Sequence, residues 1–167
     1  MKLNNPKFLK NNNTFLTIYG RNLLPELDII LPDNYLVVTM EDLWEEYKNH
    51  FHNKTKQVYI VSGLDKIKVD NDFNKQNNFS CVVGIGGGQS LDLAKYFAWK
   101  SGTKLFQVPT SMSVNATFGH RAAIRVDGNV KYVGWTVPEA VYVDLDIIKK
   151  APKKFNRSGI CEIMCYH

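Results

Sequence analysis

The sequence has no apolar run approaching the ~18 residues that would span a bilayer, and its opening, MKLNNPKFLKNNNTF, lacks the apolar centre of a secretory signal. Cysteine is scarce. Cys81, Cys161 and Cys165 are an odd number without the spacing of a disulfide framework. These absences make a reducing cytoplasm the expected compartment and remove the membrane as a partner. There is no internal repeat and no basic stripe. Lys plus Arg number 21 against 16 Asp plus Glu, a net charge of +5, but the lysines are scattered, so nucleic acid is not an expected partner. Two phosphate-binding signatures are missing as well. No Gly-Lys-Ser/Thr closes a P-loop, and the fingerprint Gly-x-Gly-x-x-Gly fails where Gly84 and Gly86 are followed by Gln89.

What is present suits one ordinary globular domain: 167 residues, 44% apolar and 22% charged, enough to bury a core. TFLTIYG (Thr14 to Gly20) alternates as a strand, and RNLLPELDIIL reads as a short helix. YLVVT (Tyr35 to Thr39) is a buried-strand run. In EDLWEEYKNHF, Leu43, Tyr47 and Phe51 recur every four residues on one helical face. QVYIVS (Gln57 to Ser62) and CVVGI are the third and fourth strands, with room for only a short helix between them. A helix over Leu91 to Trp99 and a strand over KLFQVP follow. AAIRVDGNVKYVGW is a hairpin turning at Asp127-Gly128. AVYVDLDIIKKAP is a strand running into a short helix capped by Asp144, and Pro152 ends that unit. NRSGICEIMCYH begins a further helix. Strands alternating with helices predict an α/β fold, a doubly wound parallel sheet of Rossmann-like type with an appended antiparallel hairpin.

The stretch CVVGIGGGQSLDLAK (Cys81 to Lys95) asks why three glycines stand between a strand and a helix. Glycine is the costliest residue to order, and its usual use here is to let a ligand approach the backbone. A helix N-terminus after a strand favours phosphate, so the N–H groups of Gly87, Gly88 and Gln89 are candidate anion donors. Asp92 and Lys95, one turn apart on that helix, either pair with each other or reach back toward the site.

GGGQSLDLAK followed by PTSMSVNA resembles the superfamily of iron-containing alcohol dehydrogenases, glycerol and glycerol-1-phosphate dehydrogenases and dehydroquinate synthases, over about Tyr35 to His167. The resemblance implies a nucleotide-binding α/β domain over residues 1–150 and, from 151 to 167, the start of a helical metal-binding domain cut short. The site would lie in the cleft between the two. Carried over by position, Gly86, Gly87, Gly88, Gln89 and Ser90 hold the pyrophosphate of NAD or NADP, and Asp92 and Lys95 match the Asp-x-Ala-Lys that follows in the dehydrogenases. Thr110, Ser111 and Ser113 match the loop beside the nicotinamide.

Asn115 stands where many relatives carry a substrate-contacting aspartate; it can orient a hydroxyl but not take its proton. Arg121, in FGHRAAI, matches an arginine of glycerol-1-phosphate dehydrogenases and a lysine of the synthases, a cation suited to phosphate or carboxylate. His120 is a candidate proton relay, and Lys131 matches a cofactor-contacting lysine of the synthases. Met40 takes the place of the ribose-binding acid, which leaves Glu41 as the nearest carboxylate and the choice between NAD and NADP open.

In the tail, Gly159 and Glu162 match the synthases' Gly-x-x-Glu, so the resemblance makes Glu162 the first ligand of a divalent metal (zinc, iron or nickel). Two histidines complete that site in relatives, beyond residue 167. Cys161, Cys165 and His167 are too few for a zinc site of their own, and two cysteines at i and i+4 read as a buried helix face.

Three functions follow. The first is the nucleotide-binding part of an NAD(P)- and metal-dependent dehydrogenase acting on an alcohol, polyol or polyol phosphate, a homo-oligomer when full length, with the 167 residues inactive alone. The second is a carbocycle-forming synthase that uses NAD transiently. The third is a non-catalytic nucleotide-binding module.

Overall fold

A computed structural model describes residues 15–51, 55–113 and 115–164, with the backbone alone at 55, 56, 162 and 163. Six strands form one parallel sheet: β1 (Leu16–Gly20), β2 (Asn34–Thr39), β3 (Thr55–Ile60), β4 (Cys81–Gly86), β5 (Lys104–Pro109) and β8 (Ala140–Asp144). Their order is β1-β8-β5-β4-β2-β3. Strands β6 (Ala122–Val126) and β7 (Asn129–Val133) form a separate antiparallel hairpin. Its turn is Asp127-Gly128, both at positive φ, as a tight hairpin turn requires.

The strands read as apolar runs because both faces of the sheet are covered. Successive residues face opposite ways, so Val37 and Val83 enter one core while Val38 and Val82 enter the other. The first core takes α1 (Leu24–Ile30) through Leu24 and Leu27, α2 (Glu41–Tyr47) through Tyr47, and α5 (Leu145–Lys150) through Ile147. The second takes α3 (Lys66–Asn74) through Val69, α4 (Gly88–Ser101) through Leu93, Ala94 and Phe97, and the hairpin through Ala122 and Ile124. Helix α4 is buried continuously from Ser90 to Ala98. It lies so close to β4 that a Cβ on Gly84 would come within 2.6 Å of the Ala94 methyl carbon. It ends at Gly102 in the left-handed conformation, φ 66°.

Helices α2 and α4 leave adjacent strands, β2 and β4, on opposite faces of the sheet. That divergence opens a crevice at the carboxyl ends of the strands, the usual ligand position in such sheets.

The expected elements form, with altered limits. Helix α2 gives way to a 3₁₀ turn at Lys48–His50, and Phe51 is extended, yet Tyr47 and Phe51 are both buried as the four-residue spacing predicts. Helix α4 begins three residues before Leu91, inside the glycine run. Helix α6 (Lys153–Met164) starts directly after Pro152 rather than at Asn156. Asp144 does cap α5, accepting from the Asp146 N–H at 2.9 Å, and it also accepts from Leu23 N–H at 2.6 Å. Cys161 is exposed, against the buried cysteine face expected of α6; Cys165 and His167 lie outside the described residues. Among the described residues no helix is long and apolar enough to cross a membrane.

Candidate functional site

Strand β4 ends at Gly86, whose φ of +149° disfavours any side chain; a Cβ there would also stand 2.6 Å from Ser90 Oγ. Gly87 is the N-cap of α4, extended, and no side chain caps the helix. Its first turn holds no acidic residue. The leading N–H groups of a 14-residue helix therefore face the crevice with the positive end of the helix dipole behind them. A Cβ on Gly87 would meet only Ser111 Oγ, at 3.8 Å, so the turn is open where an anion would sit. Pyrophosphate fits this cradle.

The neighbouring loop is tied to it. Thr110 donates its N–H to Gly86 O at 3.0 Å, and the Ser111 and Ser113 hydroxyls share a hydrogen bond of 3.1 Å. The loop is held from behind by α6: Asn156 accepts the Met112 N–H at 3.0 Å, and Ser158 Oγ donates to Ser113 O at 3.3 Å.

A cleft of about 550 Å³ continues from the glycine turn. Gly88, Gln89 and Asp92 form the α4 side, and Asn115, His120 and Arg121 the opposite side. Tyr132 and Trp135, which sequence reasoning passed over, close it along the hairpin. Trp135 stacks on the His120 ring at 4.9 Å, and the Arg121 guanidinium lies 6.0 Å from the Trp135 ring. The Nε2 atom of His120 is buried without a hydrogen-bond partner. His120 itself borders the cleft beside the exposed Arg121.

Asp92 and Lys95 pair with each other at 2.8 Å. Burial raises the Asp92 pKa, opposed by the Lys95 charge and hydrogen bond and by the Ala123 backbone N–H. Lys95 is 1% exposed, and its ammonium donates to the carbonyls of Ala116, Gly119 and Arg121 at 2.9, 3.2 and 2.8 Å. Lys95, expected at the cofactor, borders the cleft, yet the protein's own groups engage its ammonium.

Three further expected residues stand apart. Ser90 is fully buried beneath the turn, so its hydroxyl is inaccessible. Lys131 is exposed in β7 and does not line the cleft; the alternation of the strand points its neighbour Tyr132 there instead. Glu41 opens α2 one residue after β2, exposed, outside the cleft. Glu162 lies in α6, with its side chain outside the described residues. Among the described residues there is no group of three or more His, Cys, Asp or Glu able to hold a metal.

Residues 31–152 match the iron-containing alcohol dehydrogenase family. The chain is 28% identical over 165 residues to a glycerol-1-phosphate dehydrogenase [NAD(P)+] from Sulfolobus acidocaldarius, covering 95% of this chain and 46% of the relative. It is 27% identical over 160 residues to a 3-dehydroquinate synthase from Legionella pneumophila, covering 93% and 39%. The chain thus spans about half the length, or less, of these relatives. Its fold matches the crystal structure of a 2-deoxy-scyllo-inosose synthase complexed with carbaglucose-6-phosphate, NAD+ and Co2+, with a TM-score of 0.76 and 20% identity over 90% of this chain and 48% of that one.

Proposed function

The chain belongs to the iron-containing alcohol dehydrogenase family of oxidoreductases, and from that premise we propose that it forms the nucleotide-binding part of an NAD(P)-dependent dehydrogenase of a polyol or polyol phosphate. The observation that carries the reading is the opening of the uncapped α4 N-terminus into the same cleft as Arg121. One end of that cleft suits a pyrophosphate and the other an anionic substrate.

In this reading the N–H groups of Gly87, Gly88 and Gln89 hold the pyrophosphate. Thr110, Ser111 and Ser113 border the nicotinamide, where short hydroxyls exchange hydrogen bonds without crowding the ring. The bound nicotinamide supplies the acceptor for a hydride. Arg121 grips a phosphate or carboxylate of the substrate through its fork of donors. Asn115 orients a substrate hydroxyl, and His120, which borders the same cleft, relays its proton. Residues 1–150 are the NAD(P)-binding domain, and α6, with Glu162, opens a helical domain to which this segment offers one metal ligand. The free thiols Cys81 and Cys161 accord with a cytoplasmic setting.

Calorimetric titration with NAD and with NADP tests the reading. Saturable binding of either supports it, and absence of heat with both, in folded protein, refutes it. A second reading, a carbocycle-forming synthase that regenerates its cofactor, is favoured by the Gly159-x-x-Glu162 spacing. Net NADH production from a polyol separates them, because the synthase yields none.

A further inference from the structure

Lys95 is the largest charged side chain among those fully buried, and hydride chemistry gives it no task. An ammonium has three protons. Here they face four acceptors: Asp92 Oδ1 at 2.8 Å and the carbonyls of Ala116, Gly119 and Arg121. Although Lys95 borders the cleft, the protein alone offers its ammonium more acceptors than it has protons. The three carbonyls come from a segment only six residues long, and all point at one spot. Carbonyl dipoles converging in this way repel one another unless a cation sits between them. The shape of the segment therefore depends on a positive charge that a different element supplies.

We propose that Lys95 is a positioning residue, an internal cation around which residues 116–121 are wrapped so that His120 and Arg121 are presented to the cleft. Asp92 completes the arrangement. It balances the Lys95 charge and accepts the Ala123 N–H, so Arg121 lies between two backbone points fixed by one helix. A third tie runs from Thr136, whose hydroxyl donates to Lys95 O at 3.2 Å and whose N–H donates to His120 O at 2.9 Å. That tie places Trp135 against the His120 ring.

The consequence is geometric. The same helix offers its N-terminus to the phosphate at Gly87 and, two turns later, anchors the segment bearing Arg121. Seven residues of helical rise separate Gly88 from Lys95, roughly 10 Å. The spacing between the phosphate end and the substrate end is thus set by a rigid rod. The presentation of Arg121 to substrate rests on the function proposed above; the wrapping itself does not.

The test is Lys95→Met, close in length and without charge. Far-UV circular dichroism establishes folding, hydrogen–deuterium exchange reports residues 116–121 and 87–91 separately, and calorimetry measures NAD(P) and glycerol-1-phosphate. In the folded variant, exchange at 116–121 should quicken at least tenfold, with 87–91 unchanged. Near-UV signal from Trp135 should fall, NAD(P) affinity should stay within about threefold, and glycerol-1-phosphate affinity should drop at least tenfold. Native protection at 116–121 overturns the proposal, as does loss of NAD(P) binding with the segment intact, which would make Lys95 a cofactor contact. A loosened segment with unchanged glycerol-1-phosphate affinity leaves the wrapping standing and removes Arg121 from the substrate site. Should Lys95→Met not fold, the wild-type ammonium decides. Its ¹⁵N–H₃ resonance should be resolved, slow to exchange and unmoved by saturating NAD(P). Rapid exchange with water, or a shift on NAD(P) addition, overturns the proposal.

Discussion

Gly159 of α6 lies directly against the carbonyl of Met112; a Cβ built at 159 would overlap that oxygen. The contact involves backbone on one side, so it cannot be relieved by turning a side chain. It seats the helix bearing Glu162 on the loop of Thr110 to Ser113, and the Asn156 and Ser158 hydrogen bonds hold it there. Gly159→Ala should lift α6 from the loop, destabilising the protein by about 1–3 kcal/mol, the range for forced overpacking. Denaturant unfolding measures this, and exchange at 110–113 should quicken. An unchanged midpoint would mean that the helix docks elsewhere.

Gly87 and Gly86 separate two uses of glycine. Gly87 has φ −87°, which any residue adopts, and free space around its missing Cβ. Gly87→Val should therefore fold normally yet obstruct the pyrophosphate, weakening NAD(P) binding at least tenfold, about 1.4 kcal/mol. Gly86→Val, at φ +149° and against Ser90, should lose stability instead. Calorimetry and thermal melts on the pair distinguish the two roles. Equal affinity of Gly87→Val and wild type would remove the turn from the nucleotide site.

Arg121→Ala should weaken binding of glycerol-1-phosphate tenfold or more and leave glycerol nearly unaffected, since hydrogen bonds to charged groups contribute about 1.5–3 kcal/mol. Competition titrations in the presence of NAD provide the comparison. Equal losses for both ligands would point to a collapsed loop rather than a lost contact.

Acid stability should follow α3. Burial pushes Asp70 up, but hydrogen bonds from Lys100, Lys66 and Tyr96 outweigh it and hold its carboxyl far below the usual range. Hydrogen bonds from Lys68 and then Lys75 lower Asp72 to about 2. Both folded values lie under the unfolded carboxylate value of about 3.9. Their contribution is therefore present above the unfolded value and is lost as pH falls through the folded ones, which for Asp72 is about 2. The unfolding midpoint should drop across that interval, and Asp72→Asn should flatten the drop. A midpoint independent of pH between 4 and 2 would contradict the assignment.

Much of this was legible in local pattern. The apolar run ending in glycines announced β4, its turn and α4. Asp127-Gly128 announced the hairpin, and Asp144 the cap of α5. The rest depended on contacts distant in sequence. The spacing of Asp92 and Lys95 allowed their pairing, but no pattern in residues 116–121 marks three carbonyls turned toward Lys95. Lys131 was singled out by its match to a lysine of the synthases, whereas strand parity puts its neighbour Tyr132 at the cleft. The break of α2 at Lys48 has no glycine or proline to signal it; burial of Phe51 prevails over helical continuation. Trp135 follows β7 in a segment without regular structure, and a tie from Thr136 helps to hold it beside His120.

The strand order also sets a timetable for the growing chain. β1 ends at Gly20, and β8, its hydrogen-bonding neighbour in the sheet, begins at Ala140. At about 5–20 residues per second, a ribosome exposes β1 on the order of ten seconds before β8 exists. Through that interval β2 to β5 can already pair, while β1 presents an unsatisfied edge. The earliest of the described strands is the last to be secured, which makes closure of β8 between β5 and β1 the step most open to competition from chaperones or from neighbouring nascent chains.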